Sequence, residues 1–233
     1  MPTLTSLEGQ LVDLVRDFFR TPEVEKYFAT RLTPRRAQII STQFGLFVRN
    51  RRDCWAYVGG SAPYEVKKLI AEHEYEELIL DERANGDHYS LWVRQGITVG
   101  LTQAQMDNAE PLPASRATFY AWIHMAKSWP WLEAVAASGI LEWTNDDRYV
   151  EGGALATRSA KRWLEDLGLT KEQIPNFIVH READVEHGSM TSGILERYGT
   201  SNGDQARVVQ AAKISLALFQ VFLGGLADAM ARA

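Results

Sequence analysis

Apolar residues in this chain recur at three- and four-residue spacings almost from end to end, and no stretch reads convincingly as a strand. Leu7, Leu11, Leu14 and Phe18 form one such stripe, with Asp13, Arg16 and Arg20 on the other side, which predicts an amphipathic helix over 4–19. Thr33-Pro34 reads as an N-cap followed by proline at the first helical position, opening a helix through Ile39, Phe44 and Val48 to Arg49. Ser61-Ala-Pro63 opens another over 64–82, closed by Asn85-Gly86, and the pattern resumes over 88–92. Asn108 to Pro113 and Asn145 to Gly153 read as loops; between them a helical stretch over 115–142 is interrupted at Trp129-Pro130-Trp131. Further helices are expected over 155–167, over 177–187 after a capped start near Thr170, and over 203–233. The chain is thus expected to be all-α and to fold as one domain over 1–233, with no repeats of solenoid period.

Charge and cysteine usage narrow the function. Asp plus Glu number 30 against 25 Lys plus Arg, spread along the chain, so no basic footprint for nucleic acid exists. Cys54 is the only cysteine, which removes an internal disulfide and thiolate metal clusters and fits a reducing compartment. The start of the chain lacks a basic segment followed by an apolar run, so a cytoplasmic protein is expected. The stretch 214–230 is the most apolar, but Gln220, Gly224-Gly225 and Asp228 interrupt it, and it reads as a buried helix rather than a membrane span.

The residues that promise chemistry are Phe177-Ile-Val-His180-Arg-Glu-Ala-Asp184-Val-Glu-His187. At about 100° per residue His180, Asp184 and His187 share one helical face, where two imidazoles and a carboxylate suit iron or manganese. The alternative is a solvated, charged face, yet Phe177, Ile178, Val179 and Ala183 imply burial, and a buried carboxylate is costly without a cation. One helix cannot enclose a dimetal site, so partners must come from other helices. Glu142 ends the small, apolar run Val135 to Leu141. Glu74, Glu77 and Asp81 form an acidic stripe, with His88 seven residues beyond Asp81; pairing with Lys67 and Lys68 is the bland reading of that stripe. His73 and His124 lack spaced partners and are read as packing or surface groups. Phe44, Phe47, Trp55, Trp129 and Trp131 are read as core that could line a pocket, Cys54 as inert, and Arg49, Arg51 and Arg52 as a basic helix end that could alternatively clamp a substrate carboxylate.

These residues resemble the haem-oxygenase-like dimetal oxidases and oxygenases, within a wider fold that holds thiaminase-like and pyrroloquinoline-quinone-synthase-like proteins. His180-x3-Asp184-x2-His187 looks like the family's third-core-helix motif, Glu142 like its second-helix glutamate, and the run Lys68 to Glu77 followed by Asp87-His88-Tyr-Ser-Leu-Trp92 like its first-helix Glu-and-His pair. The nearest local wording is that of the para-aminobenzoate synthase subgroup. The spacing from Glu77 to His88 is about one helical turn longer than in that subgroup, so Asp81 or Glu82 are alternative ligands to Glu77; no match is placed near Tyr27 and Gly152 for the tyrosine and lysine the subgroup uses.

The resemblance implies a haem-oxygenase-like bundle of about seven or more helices with two iron ions (manganese as the alternative) on Glu77, His88, Glu142, His180, Asp184 and His187. It implies an oxidase or oxygenase that activates dioxygen to oxidise a small carboxylate-bearing molecule, such as an amino acid or fatty acid, by desaturation, carbon–carbon cleavage or N-oxygenation. An external electron donor and a homodimer are the expected partners, with neither nucleic acid nor membrane. A metal-free thiaminase-like or quinone-synthase-like enzyme and a non-catalytic helical interaction module are the rival readings.

Overall fold

The computed structural model describes residues 6–233, except for the side chains of Glu182, Asp184, Val185 and Glu186. Among the described residues it is helical throughout, and the only strand-like pairing is an isolated antiparallel bridge between Asp81 and Gly86. The chain forms α1 (Leu7–Phe18), α2 (Pro22–Ala29), α3 (Pro34–Ser61), α4 (Tyr64–Leu78), α5 (His88–Thr98), α6 (Gln103–Asp107), α7 (Pro113–Ser128), α8 (Trp131–Trp143), α9 (Leu155–Leu167), a 3-10 turn (Lys171–Gln173), α10 (Pro175–Tyr198) and α11 (Asn202–Ala231).

The helix starts follow the sequence signals. Ser6 caps Gly9 N, Thr33 caps Arg36 N with Pro34 at the first helical position, and Thr102 and Gln105 form a capping box. Four helix ends differ from expectation, α5 reaching Thr98 and α10 reaching Tyr198 beyond the expected 92 and 187, and α2 and α6 are additional. α3 runs on to Ser61 because its buried stripe continues through Arg51, Cys54, Trp55 and Val58 until Ala62 turns extended ahead of Pro63. α4 stops at Leu78 rather than Glu82, because Asp81 takes the Arg83 backbone N–H at 2.9 Å and so offers the chain a turn in place of a further helical turn. Asn85 and Gly86, both at positive φ, complete that turn and return the chain to α5.

α8 is buried on nearly every side, from Leu132 to Leu141, as expected of a helix apolar all round, and α11, α10, α7, α3 and α1 pack around it. Gly139 permits the closest approach: a Cβ there would lie 2.1 Å from Thr191 Oγ1 on α10. The same interface carries a hydrogen bond from Trp143 Nε1 to the Gly188 carbonyl at 3.2 Å. α11 is long and apolar enough to cross a membrane by length and composition, but half of its most apolar window is buried within the bundle. Its inner face, including Phe219, Phe222, Leu223 and Leu226, belongs to the main hydrophobic core, as a core helix requires.

Candidate metal centre

Four helices bring their polar residues to one buried place. α4 supplies His73 and Glu77, α5 begins with His88, α10 carries His180 and His187, and α8 ends near Glu142. His73, Glu77, His88 and His187 are buried. Among the described residues, two triads could each hold a cation: His73, Glu77 and His187, and Glu77, His88 and His180, in both of which the candidate ligand atoms lie within 4.8 Å of one another. Glu77 is common to both.

Each imidazole of the cluster sets one ring nitrogen against an outer oxygen. His180 Nδ1–H donates to the Asn176 carbonyl at 2.8 Å, and His73 Nδ1–H donates to Glu74 at 3.0 Å. His88 Nε2–H donates to Asp81 at 3.0 Å, and His187 Nε2–H donates to Glu76 at 3.2 Å. With those nitrogens protonated, the rings present His73 Nε2, His180 Nε2, His88 Nδ1 and His187 Nδ1 as metal-binding atoms, the pattern in which outer carboxylates and carbonyls orient ligating imidazoles. His73 Nε2 is buried with no hydrogen-bond partner. Glu77 Oε1 lies 2.9 Å from His88 Nδ1 and 3.3 Å from His187 Nδ1. A carboxylate oxygen facing imidazole nitrogens whose partner nitrogens already donate needs positive charge between them, from protons or from a metal cation. The donor set therefore fits a pair of oxygen- and nitrogen-binding cations such as iron.

A charged outer layer supports this inner one. Arg83, in the turn after α4, pairs with Glu76 at 2.6 Å and with Asp81 at 2.9 Å, so one guanidinium holds both carboxylates that orient His187 and His88. Arg52 on α3 pairs with Glu74 at 2.8 Å and with Glu77 Oε2 at 3.0 Å. Burial pushes Glu77 upward, but the charge of Arg52, then of His88, holds it well below the usual carboxylate range. Burial and the charge of Glu77 raise Glu142, and burial raises Glu74 to about 7 despite Arg52. Desolvation, reinforced by neighbouring histidines, lowers His73 well below its ordinary value and His180 to about 3.

Among the expected residues, Glu77, His88, His180 and His187 come together directly. Glu142 is buried within reach of the charges of Glu77, His187, Arg52 and Arg51, and it lines a cavity with Glu77 and His180. The Asp184 side chain lies outside the described residues, although its backbone belongs to α10. Asp81 is an orienting group on His88 and not part of either triad, and Glu82 is exposed. The acidic stripe does not pair with lysines: Lys68 pairs with Glu65, and Lys67 donates to the Gly60 carbonyl. His73 is the residue that sequence spacing passed over; its placement four residues before Glu77, one helical turn away, was the signal available. His124 is a surface group beside Ser128, and buried Cys54 has its thiol pushed up by desolvation, as an inert cysteine should. Arg51 and Arg52 do not form a solvated helix end: α3 continues past them, and both line the cavity.

That cavity holds about 60 Å³ of space open to water-sized guests, inside a wider hollow of about 620 Å³ that includes its open mouth. Phe44, Phe47, Trp92, Phe177 and Phe219 give it an aromatic wall, and Glu77, Glu142 and His180 form its polar end.

A family model described as iron-containing redox enzyme matches residues 39–220. Similar solved structures include a domain of unknown function with a haem oxygenase-like fold from Shewanella denitrificans (17% identity, TM-score 0.76, covering 100% of this chain and 93% of that one). A CADD-like protein of unknown function from Nostoc punctiforme aligns at 15% identity with a TM-score of 0.76, covering 96% of each chain. A TenA homologue from P. horikoshii aligns at 14% identity and TM-score 0.68, covering 96% of this chain and 97% of that one. At these identities the likeness establishes the haem-oxygenase-like fold. No curated protein matches the chain.

Proposed function

Because this chain belongs to the family of iron-containing redox enzymes and has the haem-oxygenase-like fold, we propose that it is a non-haem diiron oxidase or oxygenase that uses dioxygen to oxidise a small carboxylate-bearing molecule. The observation that carries this reading is the arrangement around Glu77: four imidazoles, each with one ring nitrogen against an outer oxygen, gather within ligand distance of a shared buried carboxylate. One iron would sit on His73, Glu77 and His187, the other on Glu77, His88 and His180. Glu142, and Asp184 of the His180-x3-Asp184-x2-His187 motif, would complete the set. Bound iron would supply the electrons and oxidising power for dioxygen chemistry.

The chain's own residues prepare the place. Asp81, Glu76, Glu74 and the Asn176 carbonyl fix the imidazole tautomers, and Arg83 and Arg52 hold the carboxylates. The aromatic wall keeps bulk water from the reacting end. Three carboxylates against two divalent cations leave about one positive charge, which favours an anionic guest. The metal-free alternative would need a histidine that takes a proton near neutral pH, and His180, lowered to about 3, is a poor general base.

Protein loaded anaerobically with ferrous iron and mixed with oxygen is expected to show a transient visible absorption in stopped flow. An unchanged spectrum at full iron occupancy contradicts the reading.

A further inference from the structure

Within the cavity lies a charge that the metal centre does not use. α3 presents Phe44, Phe47, Val48, Arg51 and Arg52 to the cavity at spacings of three, four, seven and eight residues from Phe44, so one helical face lines it over about two turns. Arg52 is occupied by Glu74 and Glu77. Arg51 is different. It is only 3% exposed, and its Nε and Nη2 are buried without a hydrogen-bond acceptor. Its guanidinium lies over the Trp122 ring, 5.7 Å from the centroid, and Trp122 is itself tied to Ser215 at 3.0 Å, so the group has a fixed platform.

A buried guanidinium with two N–H groups unsatisfied is expensive, and Glu142 and Glu74, whose carboxylates feel its charge, accept no hydrogen bond from its Nε or Nη2. Nε and Nη2 share one edge of the guanidinium, and their N–H bonds point the same way, which matches the two oxygens of a carboxylate. We propose that Arg51 is the substrate anchor of this cavity: it takes the carboxylate of a guest through its Nε–Nη2 edge, while the guest's apolar body lies along Phe44, Phe47, Trp92, Phe177 and Phe219. The cavity thereby selects a monocarboxylate with an apolar tail or ring, and rejects its neutral counterpart because the guanidinium would stay unpaired. This deepens the diiron reading by assigning the recognition residue, and it can fail separately from it.

The test uses octanoate and 3-phenylpropionate as probes, with octanamide and 3-phenylpropionamide as neutral counterparts and inorganic phosphate as the free anion, titrated calorimetrically into the iron-loaded protein. Both acids are expected to bind at least about tenfold tighter than their amides, and Arg51→Gln is expected to erase that preference. Arg51→Met, near in length and apolar, serves the same purpose should Arg51→Gln fold poorly, and circular dichroism checks each variant. Iron counted in the same samples should remain at the wild-type level. Equal binding of acids and amides, an unchanged preference in both variants, or no binding of either acid at millimolar concentration overturns the anchor. Phosphate competing as well as octanoate also overturns it, since the apolar body would then contribute nothing. An Arg51-dependent preference in protein that holds no iron would sustain the anchor and sink the diiron reading instead.

Discussion

Glu77 Oε1 stands 2.9 Å from His88 Nδ1, across the turn that separates α4 from α5. That contact joins the last turn of one helix to the first residue of the next, so the Asp81–Gly86 turn sets the geometry of the cluster. Because Glu77 serves both triads, Glu77→Ala should empty both positions, whereas His73→Ala should lower occupancy chiefly at one. Elemental analysis after iron loading checks this; wild-type iron content in His73→Ala would remove that residue from the set.

Arg83 touches neither triad yet pairs with both carboxylates that orient His88 and His187. Arg83→Ala is expected to weaken iron affinity by about 10- to 100-fold without unfolding the chain, the effect typical of residues that hold metal ligands in place. Competition with a chromophoric chelator measures it, and an unchanged affinity would show that Asp81 and Glu76 need no such support.

Packing should matter as much as ligation at the junction of α8 with α10. A Cβ at Gly139 would meet Thr191 Oγ1 at 2.1 Å, which forces the helices apart just one turn before Glu142. Gly139→Ala should cost about 1–3 kcal/mol in denaturant unfolding and reduce iron loading as well. A variant as stable as wild type would mean that the interface relaxes freely.

The pH dependence of the metal-free protein has a definite sign. His73 and His180 stay neutral in the folded state, while in the unfolded chain they take protons below about 6.5, so each draws stability downward as pH falls from there toward its folded value, near 3 for His180. Glu74, raised to about 7, and Glu142, also raised, act oppositely: they lose stability as pH rises from about 4.3. The two effects offset each other between those limits. Below about 4.3 the raised acids are protonated in both states, and each neutral histidine then removes about 1.4 kcal/mol per pH unit, with depressed Glu77 adding to the fall. Melting temperatures should therefore change little from pH 6.5 to 4.5 and drop steeply below; a steady decline across the whole range would contradict these shifts.

The long helices, though not short α2 and α6, and the spacing of His180 and His187 were legible in the sequence, because a 3.6-residue period and ligands at four and three residues are local properties. His73 was harder to see: its spacing of four residues from Glu77 was a local signal, but which imidazoles join that carboxylate depends on α10 crossing α4, a long-range contact. The end of α4 was misjudged for a related reason: Asp81 reads as one more acid on a helical stripe until its carboxylate is seen accepting from Arg83 N and His88. Arg51 and Arg52 likewise looked like a charged helix end, because Gly59-Gly60 and Pro63 hid how far the apolar face of α3 continues.

The central claim is tested most directly by crystals of the iron-loaded protein measured at the iron absorption edge. Two anomalous peaks are predicted, one among His73, Glu77 and His187 and the other among Glu77, His88 and His180. Absence of iron from that cluster, or a single peak away from Glu77, would contradict the account.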